Sequence, residues 1–255
     1  MDAASNKIAF LIAGVQKGGT TALYEQLGQW PGAALPTTKE LHFFDDEAMN
    51  WAAPDYAAYE ASFPAFDGRP RGEATPIYSY WPQSLERIAA YNRHMRLILI
   101  FRDPVKRAFS HWRMEVERGF DDVSFAFAIR EGRARVADAA TPPGHHRVFS
   151  YVERGFYGAQ LEHALAIFPR DQLLLLRSED LQAAPAETIG AVCRFLDLAP
   201  PGAVAPLDAN VGKLPAAGSR LDPADIDLLS GLYAEDLQRF GALSGLDVST
   251  WAKGA

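Results

Sequence analysis

The chain has 255 residues, and its content of 48% hydrophobic, 22% charged and 11% aromatic residues is that of a soluble globular protein, not a disordered or fibrous one. A chain of this length buries roughly three quarters of its unfolded surface, so we expect a single domain over residues 1–255. The net charge of −7 argues against a nucleic-acid partner, because such proteins normally carry a positive surface patch.

The first predicted element is a buried strand. Six mostly polar residues follow Met1 and lead into "KIAFLIAGV", a continuous apolar run typical of a strand with both faces buried. Such a short polar start leaves no room for a signal peptide or a membrane anchor, so we expect a cytoplasmic protein. A glycine-rich turn follows, and "TTALYEQLGQW" then has the spacing of an amphipathic helix.

Three further strands are predicted downstream. Residues 72–75 form a short candidate strand, and residues 97–101 and 173–176 form two buried ones. Asp103 and Pro104 suit the cap and first turn of a helix through "VKRAFSHWRMEVERG". Helical patterns also cover "YGAQLEHALAIF", "PAETIGAVCRFL" and the terminal "PADIDLLSGLYAEDLQRFGAL". Strands that alternate with helices predict an α/β, P-loop-like three-layer fold with a central parallel β-sheet flanked by helices.

Two long excursions interrupt this pattern. Residues 45–70 and 132–150 are rich in Pro, Gly, Ala, His and Arg, and such insertions tend to lie over the carboxyl ends of the strands, where they shape a substrate cleft. His145 and His146 lack further spaced ligands, which favours a solvated loop over a metal site. Cys193, the only cysteine, lies on an apolar helical pattern, so we predict a buried thiol and no disulfide framework.

The loop "GVQKGGTT" is nearly the triphosphate-binding motif G-x-x-x-x-G-K-[ST]. With Gly14 and Gly19 on the two motif glycines, Thr20 takes the place of the lysine, and Lys17 comes three positions too early. The glycines and the helix that begins at Thr20 still favour an anion, held by backbone N–H groups and threonine hydroxyls. The pattern predicts one phosphate and no magnesium ion; a glycine-rich turn without a ligand is the alternative.

A second anion site is predicted in "LILIFRDPVKRAFSHW". Arg102 follows a buried strand, and Ser110 lies about two turns into the next helix. The guanidinium suits a phosphate, and Ser110 could donate one further bond. The alternative is a structural Arg102 paired with Asp103 or a nearby Glu, with Ser110 on the helix surface. Together, the two sites indicate a nucleotide that is phosphorylated at two separate places.

These motifs resemble the sulfotransferases that use 3′-phosphoadenosine 5′-phosphosulfate (PAPS). Similar segments follow in the family's order, namely "KELHFFD", "GEATPIY", "ERGFYGAQLEHALAIFP", "LLLLRSEDL" and "LDVSTW", so that the resemblance covers nearly the whole chain. The likeness is to the heparan-sulfate-type branch and its bacterial carbohydrate-sulfotransferase-like relatives, not to the cytosolic steroid and phenol enzymes.

The resemblance implies a role for each matching residue. Arg102 and Ser110 would hold the 3′-phosphate, Glu40 would be the catalytic base, and His42 is the competing base. On an extended segment, residues 40 and 42 would face the same side, and partial burial would raise the basicity of Glu40. Lys17 would neutralise charge on the bridging oxygen. The 5′-phosphosulfate would be bound by Gln16, Lys17, Gly18, Gly19, Thr20 and Thr21.

Two departures from the family bear on the acceptor. Ala74 stands where the heparan-type enzymes carry a lysine, which argues against a polymeric heparan-like acceptor. The region before the last helix is short and has no cysteine, so Lys213 or Arg220 would supply a cofactor contact. We therefore predict sulfuryl transfer to a hydroxyl, or to an amine, of a carbohydrate or small metabolite. The alternatives are a P-loop kinase-like phosphotransferase and a non-catalytic nucleotide-binding protein.

Overall fold

The computed structural model describes residues 7–137, 145–200 and 220–253. Its strands are β1 (Phe10–Gly14), β2 (Gly72–Ala74), β3 (Arg96–Phe101) and β4 (Leu173–Arg177). Its helices are α1 (Thr20–Gly28), α2 (Tyr56–Ala61), α3 (Ser84–Tyr91), α4 (Pro104–Glu117), α5 (Phe125–Ala128), α6 (Tyr157–Ile167), α7 (Ser178–Ala183), α8 (Pro185–Phe195) and α9 (Pro223–Ser244). Short 3-10 turns occupy Glu131–Val136, Glu153–Gly155 and Arg170–Gln172.

The strands form one parallel sheet in the order β2-β1-β3-β4. The chain passes from β1 to β2 on one side and then crosses to β3 on the other, so the direction of winding switches between β1 and β3. Ligands of open parallel sheets bind outside the carboxyl ends of the strands at such a switch point. The glycine loop begins at the end of β1, and Arg102 directly follows β3 in the chain. The predicted α/β fold is confirmed.

The core beside the sheet is built by alternate strand residues. On one face of the sheet, Phe10 and Ile12 of β1 and Ile98 and Ile100 of β3 belong to one apolar cluster. The cluster also contains Leu23 and Leu27 of α1 and Ile189 and Val192 of α8. Residues of the opposite register, such as Leu11 and Leu97, are also buried. Full burial of one such side chain contributes about 1.5–3 kcal/mol. Cys193 belongs to this cluster, as predicted.

The chain divides into two compact units. The first comprises Met1–Phe101 and His163–Asp208 and contains the sheet; the second comprises Arg102–Glu162 and Ala209–Ala255. Within the second unit, the Asp236 carboxylate on α9 accepts from the backbone N–H groups of residues 158 and 159 at 2.7 and 3.0 Å. These bonds tie α9 to the start of α6.

Four helices lie outside the predicted pattern: α2, α3, α5 and α7. Two of them, α2 and α5, have 6 and 4 residues, which is too short for a helical period to emerge. In α3, Leu85, Ile88 and Tyr91 are buried at regular spacing, so its periodic signal was present in the sequence. The excursion over residues 45–70 therefore contains a helix, α2, whose Tyr59 is buried.

Candidate active site

The glycine loop folds back onto the end of β3. The Val15 N–H donates to the Ile100 carbonyl at 3.0 Å, and the Gly18 N–H donates to the Val15 carbonyl at 2.9 Å. Lys17 and Gly19 have φ values of 68° and 113°, so the chain turns through two left-handed residues before α1 begins. The loop is thus a tight turn against the strand that neighbours β1.

One feature of this loop fixes its position, and a second suits a phosphate group. A Cβ added to Gly18 would lie 2.1 Å from the Ile100 carbonyl oxygen, so only glycine allows the backbone to approach β3 this closely. Gly19, the N-cap of α1, has no side chain that could accept from the first helical N–H groups. The amides of Thr20 and Thr21 therefore present the positive end of the helix to an anion.

Substitution of Gly18 by alanine is expected to destabilise the loop, because the new methyl group overlaps a backbone carbonyl. Overpacking of this kind costs about 1–3 kcal/mol, which lowers Tm by a few degrees in a chain of this size. Thermal unfolding and calorimetric titration with 3′-phosphoadenosine 5′-phosphate (PAP) measure the effect. Gly28→Ala is the matched control, because its Cβ would lie 3.9 Å from Leu35, an ordinary contact. A Gly18→Ala protein with wild-type Tm and PAP affinity would contradict the close approach.

The segment that carries Glu40 and His42 is not extended, contrary to the prediction. Glu40 and His42 have φ values of 63° and 53°, in the left-handed region that L-residues rarely adopt. The Glu40 N–H donates to the Ala74 carbonyl at 3.0 Å, which fixes the start of the segment to the end of β2. In the described ranges, the non-glycine residues with positive φ are Lys17, Glu40, His42, Gln83, Asp197 and Ala252. Three of these six are the predicted catalytic residues.

Glu40, His42 and Asp45 form a chain of charged groups. His42 Nδ1 lies 2.9 Å from Asp45 Oδ2, and His42 Nε2 lies 3.8 Å from Glu40 Oε2. Glu40 Oε1 contacts the Lys39 ammonium. The Asp45 side chain is 0% exposed, whereas those of His42 and Glu40 are 46% and 40% exposed. The buried Asp45 therefore orients the imidazole, and Glu40 lies between two cations at the surface.

The charges around this segment set its protonation state. Burial raises the pKa of Glu40, but its contacts with His42 and Lys39 outweigh burial and lower the pKa from 4.5 to about 2. The hydrogen bond to Asp45 and the contact with Glu40 raise the pKa of His42 from 6.5 to about 9. At neutral pH, Glu40 is ionised and His42 is an imidazolium. The expected rise in the basicity of Glu40 is therefore wrong in direction, because the adjacent cations prevail over burial.

In the second unit, Arg102 precedes α4 and Ser110 lies within that helix, and both residues are half-buried. The Asp103 side chain accepts from two backbone N–H groups of the first turn at 2.9 and 3.2 Å, which confirms its predicted role as the helix cap. The Arg102 carbonyl accepts from the Tyr157 hydroxyl at 2.9 Å. The aromatic residue at the start of α6 thus holds the backbone that presents Arg102.

Two side chains of α4, Arg107 and His111, are buried in the second unit. Arg107 is fully buried and donates to the Tyr151 carbonyl. His111 is also fully buried and lies 3.4 Å from Glu115 on the same helix, so it packs within the unit. Arg220 is exposed, and Lys213 lies outside the described residues.

A parallel α/β sheet with a glycine loop at its switch point defines a class of phosphate-binding proteins. Within that class, a family profile described as a sulfotransferase domain matches residues 7–211. The chain belongs to the sulfotransferase family. Human heparan sulfate glucosamine 3-O-sulfotransferase 3B1 is 33% identical over 193 residues, which cover 74% of this chain and 45% of the relative. Human heparan sulfate glucosamine 3-O-sulfotransferase 6 is 34% identical over 74% of this chain and 52% of its own length.

A solved structure supports the same assignment. The sulfotransferase from Alicyclobacillus acidocaldarius superposes with a TM-score of 0.81 at 26% identity and covers 97% of this chain and 99% of its own. The chain spans about half the length of the human relatives. Of the helices in the described ranges, none has both the length and the apolar character needed to cross a bilayer.

Proposed function

We propose that the protein transfers a sulfuryl group from PAPS to a hydroxyl, or to an amine, of a carbohydrate or small metabolite. The observation that carries the proposal is the ionised Glu40 between Lys39 and His42, in the same compact unit as the glycine loop. The relatives named heparan sulfate glucosamine 3-O-sulfotransferases support a carbohydrate acceptor. Ala74 is fully buried in the apolar cluster and has no charged group, so position 74 offers no cation to an anionic polymeric acceptor.

The donor would be held by phosphate contacts at two ends. PAPS, when bound, supplies an activated sulfuryl group and leaves as PAP. The N–H groups and hydroxyls of residues 16–21 would bind the 5′-phosphosulfate, and Lys17 would stabilise the charge that grows on the bridging oxygen. Arg102 and Ser110 would bind the 3′-phosphate, and Lys213 or Arg220 stays the predicted further contact. Nothing in this proposal requires a metal ion.

Glu40 would act as the base. It would accept the acceptor's proton while the acceptor oxygen or nitrogen bonds to sulfur and the bond from sulfur to the phosphate oxygen breaks. Its low pKa makes it a weak base at equilibrium, so proton removal must be concerted with attack. The support for Glu40 over His42 is that an imidazolium with a pKa of about 9 holds its proton at neutral pH. His42 would instead orient Glu40.

Incubation with ³⁵S-labelled PAPS tests the proposal. The label should move to at least one member of a panel that contains heparan sulfate, amino sugars, small saccharides and phenols, with equimolar PAP formed. Magnesium-dependent ATP turnover without any response to PAPS would favour the kinase-like alternative. PAP binding without transfer to any member of the panel would favour a non-catalytic nucleotide-binding protein.

The cytoplasmic location stays a prediction that fractionation of the source cells can test.

A further inference from the structure

A buried carboxylate lies beneath the segment that carries Glu40 and His42. Glu73, on β2, is 0% exposed and receives hydrogen bonds from three hydroxyls: Thr75 at 2.6 Å, Tyr78 at 2.9 Å and Tyr59 at 3.3 Å. The backbone N–H of Leu41 also donates to it. Burial raises the pKa of Glu73, and these donors oppose that rise. The carboxylate is therefore the centre of a polar network inside the first unit.

Tyr78 connects this carboxylate to the backbone of the segment. Its hydroxyl accepts from the N–H groups of Phe43 at 3.0 Å and Phe44 at 3.4 Å. A tyrosine hydroxyl has one proton, and here that proton points to Glu73. Glu73 thus fixes the direction of the Tyr78 hydroxyl, and the oxygen lone pairs face the backbone of residues 43 and 44.

Together these contacts hold the backbone on both sides of His42. The N–H groups of residues 40, 41, 43 and 44 are bonded to the Ala74 carbonyl, to Glu73 and to Tyr78. Glu40 and His42 keep positive φ values within this frame. Left-handed backbone conformations persist only where the surrounding structure holds them. The network therefore fixes the positions of the Glu40 and His42 side chains relative to each other.

We infer that Glu73 and Tyr78 are positioning residues for sulfuryl transfer: they hold the 40–44 backbone in the conformation that sets Glu40 Oε2 3.8 Å from His42 Nε2. Neither residue touches the reacting atoms. The inference rests on the proposed function of Glu40. It adds two buried residues, Glu73 and Tyr78, that act on Glu40 through the backbone.

Tyr78→Phe is the first test, because it removes one hydroxyl and keeps the ring. We expect kcat to fall roughly 10–100-fold, as for small misplacements of catalytic groups, with the PAPS KM and the PAP Kd unchanged. The second readout needs no acceptor. NMR titration should place the pKa of His42 near 9 in the wild type and closer to 6.5 in the variant, because His42 loses its alignment with Glu40 and Asp45.

Tyr59→Phe is the matched control. It removes another buried hydroxyl that donates to the same carboxylate; among the described residues, this hydroxyl bonds to Glu73 and not to the backbone of residues 40–44. We expect a similar loss of Tm with wild-type kcat and His42 pKa. Equal losses of kcat in Tyr59→Phe and Tyr78→Phe would overturn the inference, as would a wild-type kcat and His42 pKa in Tyr78→Phe.

Glu73→Gln provides a second variant if Tyr78→Phe does not fold. Glutamine keeps the size of the side chain but turns one acceptor atom into a donor, so at least one of the four donors loses its partner. A lower kcat and a lower pKa of His42 would support the inference, and wild-type values of both would overturn it. Failure of the proposed function is distinct, because then the wild type transfers no sulfuryl group or Glu40→Gln retains full activity.

Discussion

Replacement of Glu40 by glutamine is expected to lower turnover by roughly 10²–10⁴-fold, the usual contribution of a general base. Glutamine has nearly the same shape but cannot accept the acceptor's proton. The glycine loop is untouched, so the affinity for PAP should stay at the wild-type value. Label transfer from ³⁵S-PAPS at saturating donor measures turnover, and calorimetric titration measures PAP binding.

The control for this substitution is Glu25→Gln, which changes an exposed glutamate on α1 and should leave turnover unchanged. His42 in Glu40→Gln should also titrate at a lower pH, because one of the two carboxylates that raise its pKa is gone. Full turnover in Glu40→Gln would rule out Glu40 as the base and would return His42 to that role.

Replacement of Lys17 by alanine is expected to lower kcat by roughly 10²–10³-fold, which corresponds to a loss of about 2.7–4 kcal/mol of transition-state stabilisation. The physical reason is that charge grows on the bridging oxygen only as the bond to sulfur breaks. PAP has no sulfuryl group, so its affinity should fall much less than kcat. Single-turnover kinetics with PAPS and titration with PAP separate the two quantities.

Lys253→Ala, an exposed lysine in the second unit, is the charge-matched control and should behave as wild type. Lys17→Arg keeps the charge with a different donor geometry and should recover part of kcat. If kcat stays unchanged in Lys17→Ala while the affinities for PAPS and PAP fall together, Lys17 binds both states equally and takes no part in bond breaking.

Much of the sheet could be predicted because its signals are local. The apolar run that becomes β1, the glycines before α1, and Asp103 with Pro104 each act within a few residues, and the structure confirms them. The edge strand β2 has only three residues, yet "RGEATPIY" indicated its position. The phosphate site in the loop, which was predicted from the same local glycine pattern, stays a prediction.

The geometry around Glu40 could not be predicted, because it depends on partners that are distant in the sequence. The left-handed backbone at residues 40 and 42 is held by Glu73 and Tyr78, more than 30 residues away. The protonation states depend on the contact of Lys39 with Glu40 and on the buried Asp45. The pattern "KELHFFD" places these charges near each other in the sequence. The distances in the folded segment determine how far each charge shifts the pKa of Glu40 and of His42.

If Lys17, Glu40 and His42 have the proposed catalytic roles, their left-handed backbone sets stability and activity against each other. Each such residue costs about 1–3 kcal/mol, and glycine would occupy the same conformation with little steric penalty. A selection for heat resistance alone would therefore favour glycine or asparagine at these positions and would remove the proposed catalytic side chains. Engineering for thermostability should leave these three positions unchanged and seek its gains elsewhere in the chain.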